Sequence, residues 1–381
     1  MNFGFSEEQD LLRAEVRKFL DARCPLPQVR ALLETDLGYS VELWAKLAEL
    51  GWLGLTIPEL HGGAGLGWVD LVVLLEETGR SLFPSPLVST TLAAAAILDS
   101  GSAEQKARWL PGIADGSRIG TLALIEASDV LAPSGITLLG KPDGDAFVLS
   151  GSKSFVADAG AANLFVVAFR TGPGAEDLAL AVVDGGTPGV HAKSLPTMDR
   201  TKRVGTLALE NARVPRSALL LGSDGRAAPG RAWPAIQRLF DRGAIATTGE
   251  MIGAAEGALA LTVQYAKDRI QFGNPIGKYQ GVKHPLAEMY VDIESTKSLL
   301  YYAAWALDES PGEVPRSASL AKAYASDAFA RIGIDGVQLH GAVGYTAEYD
   351  IQLYLKRSKW ARPTFGDSDF HYERVATLGG L

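Results

Sequence analysis

The sequence has little of what disulfides and metal sites require. Among its 381 residues there is one cysteine, Cys24, so a disulfide within the chain is excluded, and a reducing cytosol is the compartment that fits best. The five histidines have no zinc-ligand spacing. A Gly-x-Ser-x-Gly segment, which carries the nucleophile of many hydrolases, is also missing. These absences argue against a disulfide scaffold, a zinc protein and a serine hydrolase.

Long apolar runs and excess positive charge are scarce as well. The longest apolar run, Leu92–Leu98, is far too short to span a bilayer. The first ten residues, MNFGFSEEQD, have neither the basic region nor the apolar region of a secretory signal. A net charge of −8 and a pI near 5.3 give no indication of a basic surface for nucleic acid. We therefore expect a soluble cytoplasmic protein that binds neither a membrane nor nucleic acid.

Hydrophobic periodicity divides the chain into three zones. From Ser6 to about residue 116 the apolar spacing is helical, with Ser6 as an N-cap. Short β-branched or alternating runs follow to about residue 222, which is the pattern of an antiparallel barrel or sandwich. After a predicted loop at Ser223–Gly230, long helical patterns return and suit a bundle. The sequence thus predicts an α+β protein with a helical domain at 1–116, a β domain at 117–228 and a helical bundle at 229–381.

Individual elements can be placed within these zones. The predicted strands lie in the segments GTLALIEA, DAFVLSGSKSFVADAG, NLFVVAFR, DLALAVVD and RVGTLALENARVP. The predicted bundle helices are Ile236–Asp268, Lys283–Glu309, Ser317–His340 and a shorter one near Ile351–Arg362. The glycine-rich stretch PELHGGAGLGW has no preceding strand and no acidic residue at the required distance. It is therefore interpreted as a turn and not as a dinucleotide fingerprint.

The stretch from Tyr265 to Gln280, YAKDRIQFGNPIGKYQ, carries the most chemical information. It joins two long helical patterns through a turn rich in glycine and proline. Arg269 supplies a fork of donors for phosphate, Phe272 an apolar plate and Gln280 a two-sided amide. Alone, Arg269 would be an ordinary charge at a helix C-terminus. Together the three side chains favour a nucleotide diphosphate held at a helix junction.

With a second segment, QLHGAVGYTAEY at Gln338–Tyr349, this stretch resembles the signature of the acyl-CoA dehydrogenases, and the resemblance runs along the whole chain. It implies an N-terminal helical domain, a middle antiparallel β-barrel or sandwich and a C-terminal four-helix bundle. Family members remove a proton from the α carbon of an acyl-CoA thioester while FAD accepts a hydride from the β carbon. Neighbouring subunits clasp the ADP half of FAD, and the matching residues are Arg269, Phe272, Gln280, Gln338 and Gly341. An electron-transfer flavoprotein is the expected electron acceptor.

The resemblance also locates the family's catalytic base, and the carboxylate is missing there. Counting from the second segment places the common base position at Phe365, and counting back from Phe272 places the other known position at Gly243. Neither residue can accept a proton, so no catalytic residue is assigned. The flavin-facing Trp-x-Thr segment corresponds to Phe155-Val156-Ala157, where the hydroxyl is missing.

Two further segments match family residues that build a subunit's own reaction site, and both differ here from the family pattern. The Thr-Glu-Pro-x-x-Gly-Ser-Asp loop has shrunk to Ile125–Asp129, where Glu126 remains. The arginine that contacts CoA is replaced by Ala244, although Arg242 lies close by. Residues that would serve a neighbour's FAD are therefore kept, while those that would build this chain's own reaction site are lost.

This contrast predicts that the chain is the base-lacking partner in a heterotetramer that desaturates a bulky acyl-CoA. It resembles one subunit of the bacterial α2β2 acyl-CoA dehydrogenases of steroid side-chain degradation. Two alternatives stay open at this point. One is a homotetrameric enzyme with a relocated base, for which Glu250, Glu256 and Asp367 are the candidates; the other is a catalytically silent scaffold. His284 and His340 are expected to be hydrogen-bonding neighbours within the motifs.

Overall fold

The computed structural model describes residues 5–221 and 231–381. The predicted loop at Ser223–Gly230 and the predicted domain boundary at 228/229 fall outside the described residues. Contacts group the chain into two compact units, each built from separate stretches of sequence. One unit comprises the chain up to Glu34, Gly67–Phe83 and the chain from Asp241 onward; the other comprises Thr35–Leu66 and Pro84–Phe240.

The chain begins with helices, as predicted. Ser6 caps the first of them through a capping box, because its hydroxyl accepts from the Gln9 amide and the Gln9 side chain accepts from the Ser6 amide. The helices of this region are α1 (Glu7–Arg23), α2 (Leu26–Leu33), α3 (Val41–Glu49), α4 (Trp68–Arg80), α5 (Leu87–Ser100) and α6 (Ala103–Ala114).

The middle region forms two sheets. The strands are β1 (Gly120–Ala123), β2 (Gly140–Asp143), β3 (Ala146–Ala157), β4 (Leu164–Arg170), β5 (Leu178–Asp184), β6 (Val190–Leu195) and β7 (Val204–Pro215). One sheet has the order β1-β4-β5 and the other β2-β3-β7-β6. Strands β4 and β5 are continuous apolar runs that are buried almost throughout, as expected for strands covered on both faces. All pairs are antiparallel except β1 with β4, which is parallel.

The C-terminal region is helical again. It contains α7 (Trp233–Asp268), α8 (Gln280–Glu309), α9 (Val314–His340), α10 (Ile351–Ala361) and α11 (Ser368–Leu378), with the two-residue strands β8 (Ile270–Gln271) and β9 (Asn274–Pro275) between α7 and α8. The predicted order of helical, β and helical regions is therefore confirmed, and the sequence patterns missed β2, β6 and α11. Within the described residues, no helix is both long and apolar enough to cross a membrane.

Helices α4 and α7 of the first unit approach each other closely enough for backbone contact. A Cβ atom added to Gly253 would lie 1.7 Å from the Glu76 carbonyl oxygen, and one added to Gly79 would lie 2.1 Å from the Glu250 carbonyl oxygen. One glycine on each helix thus permits a distance that any side chain would prevent. Helix α9 packs in the same unit against α8, α10 and α11.

Candidate functional site

The link between α7 and α8 is a tight hairpin. Ile270 pairs with Pro275 and Gln271 with Asn274, and the two residues between the strands, Phe272 and Gly273, have φ values of 51° and 77°. A two-residue hairpin loop with positive φ at both positions is a type I′ turn, in which Asn-Gly or Gly-Gly is the usual pair. A phenylalanine at the first position is therefore held in a backbone conformation that costs free energy.

That phenylalanine is also turned toward solvent. Phe272 is 90% exposed, and its nearest aromatic neighbour is Tyr279, edge-on with ring centroids 6.3 Å apart. An aromatic ring that is both exposed and on a strained backbone contributes nothing to the core. Such a combination indicates a binding role, because the strain persists only where the surrounding structure imposes it.

Arg269 and Gln280 lie on either side of this turn. Both are exposed, and within the described residues neither side chain makes a hydrogen bond or an ion pair. Gln280 begins α8, whose N-cap residue, Tyr279, offers no side-chain cap. A Cβ atom added to Gly281 would meet nothing within 4 Å, so the first turn of α8 is open. An uncapped helix N-terminus beside a free guanidinium is suited to a phosphate.

The second motif meets the first at the end of α9. Tyr265 on α7 packs against His340 in a tilted arrangement with 4.4 Å between ring centroids, and Tyr349 contacts both rings at 6.0 and 5.0 Å. Gln338 is exposed on the last turn of α9, and Gly341 ends that helix at φ 63° with nothing near its missing side chain. The aromatic contacts thus bring the Arg269 end of α7 and the Gln338 end of α9 together.

The two histidines of these motifs are placed differently. His340 is 2% exposed and bonds through Nδ1 to the Gly336 carbonyl oxygen at 2.7 Å. Burial lowers its pKa, so the ring is neutral and acts in packing and hydrogen bonding. His284, three residues after Gly281 on α8, is exposed.

The two residues that the sequence matches to the family's base positions lie against each other. Gly243 is buried on α7, and a Cβ atom added to it would lie 2.4 Å from Cδ1 of Phe365. Phe365 itself has a φ of 58°, and its backbone N–H meets no acceptor in the part of the chain that the structure describes. The phenyl ring therefore fills the space beside Gly243, and a carboxylate is present at neither position.

Two of the three candidates for a relocated base make structural contacts. Glu256 is paired with Lys297 at 2.6 Å, and this pair raises the Lys297 pKa against the opposing effect of burial. Asp367 is the N-cap of α11, where it accepts from the Phe370 amide at 2.9 Å. Glu250 lies on α7 and is 3% exposed. The contacts of Glu256 and Asp367 are therefore those of an ion pair between helices and of a helix cap.

The residues around Ala244 tie α7 to its neighbours. Asp241, 2% exposed, forms an ion pair with Arg374 of α11, and burial raises its pKa although Arg374 opposes the rise. The Arg242 guanidinium lies over the Trp68 ring at 5.5 Å, and burial lowers its pKa to about 10. Ala244 is fully buried. These contacts are within one compact unit, and they account for Asp241 and Arg242 structurally.

In the second unit, the segment that matches a flavin-facing motif lies at a bulge of β3. Phe155 is 53% exposed with a φ of 54°, and the register of β3 on β7 shifts between Lys153 and Val156. Ala157 offers its carbonyl oxygen to Thr121 at 2.6 Å. The second exposed phenylalanine on a strained backbone thus also falls within a motif that the sequence singled out.

Glu126, in the same unit, is a fully bonded structural carboxylate. It accepts from the amides of Thr137 and Leu138, each at 2.9 Å, from the Thr137 hydroxyl and from the buried Lys153 ammonium at 2.8 Å. Burial opposes its ionisation, but these bonds outweigh burial and lower its pKa. Burial lowers the Lys153 pKa to about 8. Glu126 therefore orders the loop that follows β1.

The sequence patterns missed two residues near Phe365. Lys322 is completely buried on α9, and His371 is 1% exposed on α11. Lys322 stands in the Ala-rich stretch SLAKAYASDAFA, where its helical face is occupied by small residues. A lysine on the apolar face of such a stretch is the signal that could have identified it.

Comparisons with known proteins agree with the order of elements. Three domain models match this chain: acyl-CoA dehydrogenase N-terminal domain over residues 6–117, middle domain over 126–212 and C-terminal domain over 230–378. Acyl-CoA dehydrogenase IpdE2 of Mycolicibacterium smegmatis is 33% identical over 95% of each chain.

Solved structures are similar over the whole length. A variant of the Tcur3481–Tcur3483 steroid ACAD is 34% identical with a TM-score of 0.87, and the match covers 98% of each chain. The ChsE4–ChsE5 complex from Mycobacterium tuberculosis contains a chain that is 28% identical with a TM-score of 0.89, covering 100% of this chain and 99% of that one.

Proposed function

This chain belongs to the acyl-CoA dehydrogenase family, and we propose that within it the chain is the base-lacking subunit of a heterotetramer that desaturates a bulky acyl-CoA with FAD. Its partner is a homologous chain that carries the carboxylate base. In this arrangement the present chain binds the ADP half of a flavin whose reacting ring lies in the partner.

The observation that carries this proposal is the contact between Gly243 and Phe365. The family's two base positions are adjacent in space here, and each is occupied by a residue without a proton acceptor. The Phe365 ring occupies the space that a side chain at residue 243 would need. Loss of a general base lowers the rate by about two to four powers of ten.

The residues at the hairpin fit the nucleotide half of FAD. Arg269, Phe272 and Gln280 are exposed around one turn, and Gln338 and Gly341 follow at the adjoining end of α9. The guanidinium and the open first turn of α8 supply donors for a diphosphate, and the Phe272 ring supplies an apolar face. When bound, FAD would accept the hydride from the β carbon of the acyl group. The residues of this chain bind and orient the cofactor and do not move the proton.

Relatives support the choice of substrate and assembly. IpdE2 is named as an acyl-CoA dehydrogenase, Tcur3481–Tcur3483 as a steroid ACAD, and ChsE4–ChsE5 as a complex of two different chains. A steroid-type acyl-CoA and a dimer of heterodimers are accordingly proposed here. An electron-transfer flavoprotein is the proposed acceptor of the electrons, and an electron transferring flavoprotein of Acidaminococcus fermentans is among the similar structures.

The test is flavin counting on the chain alone and on a co-expressed complex. The partner to co-express is a family member with glutamate at the position that matches Phe365 or Gly243. We expect the chain alone to be colourless, and the complex to hold one FAD per heterodimer and to oxidise a steroid-side-chain acyl-CoA. In this chain, Arg269→Ala should remove FAD from the complex, whereas Lys267→Ala, an exposed cation two residues earlier on α7, should not.

Two results would overturn the proposal. One FAD per chain together with brisk turnover by the chain alone would favour a homotetrameric enzyme with a relocated base. Flavin absent from every pairing would favour a silent scaffold.

A further inference from the structure

The segment that joins α10 to α11 holds Phe365 in an unfavourable backbone conformation. Phe365 has a φ of 58° and Gly366 a φ of 100°, so two successive residues lie outside the right-handed and extended regions. For a phenylalanine this conformation costs free energy, and it persists only where neighbouring groups fix it. Within the segment, the Gly366 amide bonds to the Pro363 carbonyl oxygen at 3.1 Å.

Lys322 fixes this segment from α9. Its ammonium donates to the carbonyl oxygens of Arg362 and Gly366, each at 2.8 Å, and to the Ser326 hydroxyl at 3.0 Å. All three acceptors are uncharged, and in the described residues no carboxylate accepts from this nitrogen. The side chain is completely buried, and burial lowers its pKa to about 7.

His371 fixes the same segment from α11. Its Nε2 lies 3.0 Å from the carbonyl oxygen of Phe365, so the ring donates from Nε2 to that oxygen. Gly366 lies close to the same nitrogen, since a Cβ atom added there would be 2.9 Å from Nε2. Lys322 and His371 together thus donate to three carbonyl oxygens within the five residues from Arg362 to Gly366.

A buried lysine without a carboxylate partner is costly, and so is a buried histidine, because both lose hydration. Neither residue belongs to the nucleotide-binding set, although Lys322 also satisfies the carbonyl oxygen of Arg362, the C-cap residue of α10. Asp327, one turn beyond Lys322, holds Ser368 at 2.7 Å and already joins α9 to α11. Both residues donate to the same short segment, which indicates that they act on the conformation of that segment.

We propose that Lys322 and His371 are positioning residues that hold the 362–366 segment in its strained form and so keep the Phe365 ring against Gly243. The functional consequence rests on the proposed function: this contact gives the chain a closed apolar wall where other family members carry the base. Without either donor, the segment relaxes to ordinary backbone angles and the ring leaves Gly243.

Hydrogen exchange followed by mass spectrometry tests the proposal on the full chain, in complex with its partner where one is required. Lys322→Met removes the ammonium donor and keeps a side chain of similar length. His371→Leu removes the Nε2 donor. We expect amide exchange in the 362–367 segment to rise about tenfold or more in each, as for loss of a hydrogen bond to a buried group. His371→Gln keeps a donor near Nε2 and should restore slow exchange, which a general loss of packing would not predict.

Lys153→Met is the matched control, because Lys153 is equally buried but belongs to the other unit. It should leave exchange in the 362–367 segment unchanged. Unchanged exchange in Lys322→Met and His371→Leu, or an equal rise in Lys153→Met, would overturn the proposal. If Lys322→Met does not fold, the comparison of His371→Leu with His371→Gln decides the point. The exchange of the 362–367 segment does not depend on Arg269 or Phe272. Flavin content of the complex therefore tests the proposed function separately from this proposal.

Discussion

The Phe365 ring and the Cα atom of Gly243 are in direct contact, with the ring in the volume that a side chain at residue 243 would need. The two residues are more than a hundred positions apart in sequence, yet each is explained by the other. Glycine on α7 makes room for the ring, and the ring closes the space that glycine leaves.

The first prediction concerns this pair. Gly243→Ala places a methyl group 2.4 Å from the ring, so overpacking should destabilise the chain by about 1–3 kcal/mol despite the better helix propensity of alanine. Phe365→Ala should destabilise it by loss of packing. The double variant should be less destabilised than the sum, because the new methyl group enters the vacated space. Thermal unfolding of all four proteins measures this coupling, and strictly additive effects would contradict the contact.

The second prediction separates stability from binding at the hairpin. Phe272→Asn creates Asn-Gly, the pair preferred in a type I′ turn, and should raise the stability of the unliganded chain by up to about 1 kcal/mol. The same change removes the exposed ring and should weaken FAD binding by the complex. Melting temperature and FAD titration measure the two effects. A loss of both melting temperature and FAD affinity would indicate that the ring stabilises the fold and does not act in ligand binding alone.

The third prediction is a dependence of stability on pH. Burial, together with the Lys322 ammonium, lowers the His371 pKa to about 3 in the folded chain, whereas the unfolded chain has a value near 6.5. As pH falls from about 6.5 toward 3, only the unfolded state takes up this proton, so stability is lost at up to about 1.4 kcal/mol per pH unit. His371→Gln should lack this component. The melting temperatures of the unsubstituted chain and of His371→Gln should converge or cross as the pH falls across this range. Parallel curves would contradict a contribution of His371 to the pH dependence.

The fourth prediction tests the close approach of α4 and α7. Gly253→Ala would place a Cβ atom 1.7 Å from the Glu76 carbonyl oxygen, so one helix must move, and we expect a loss of several kcal/mol or failure to fold. Gly281→Ala is the control, because that position has open space in the first turn of α8. It should be neutral or stabilising by up to about 1 kcal/mol. Soluble yield and melting temperature give the comparison.

Much of the fold follows from local patterns. Strands β4 and β5 were predicted because LFVVAFR and LALAVVD are unbroken apolar runs between turn residues, and α7 to α10 because their apolar spacing is long and regular. Strand β6, VHAKSL, was missed because it is an edge strand whose residues are nearly all exposed, so it has no alternation. Strand β2 contains proline, which normally argues against a strand.

The site was only partly predictable, for a physical reason. The hairpin with Arg269, Phe272 and Gln280 is local in sequence, so its residue types could be recognised together. Lys322 and His371 contact the Phe365 segment from two different helices. Such contacts depend on tertiary packing, and periodicity along one helix cannot identify them.

The hairpin that presents Phe272 is held by bonds within a few residues. Ile276 donates to the Arg269 carbonyl oxygen at 2.8 Å, Lys278 to the Asn274 side chain at 3.0 Å and Tyr279 to the Gln271 carbonyl oxygen at 3.2 Å. Its geometry therefore forms with the folding of this chain alone, before any second molecule arrives. A ligand that meets the ring finds it preorganised, so association loses little conformational entropy at this point and fast capture does not require a rearrangement of the loop.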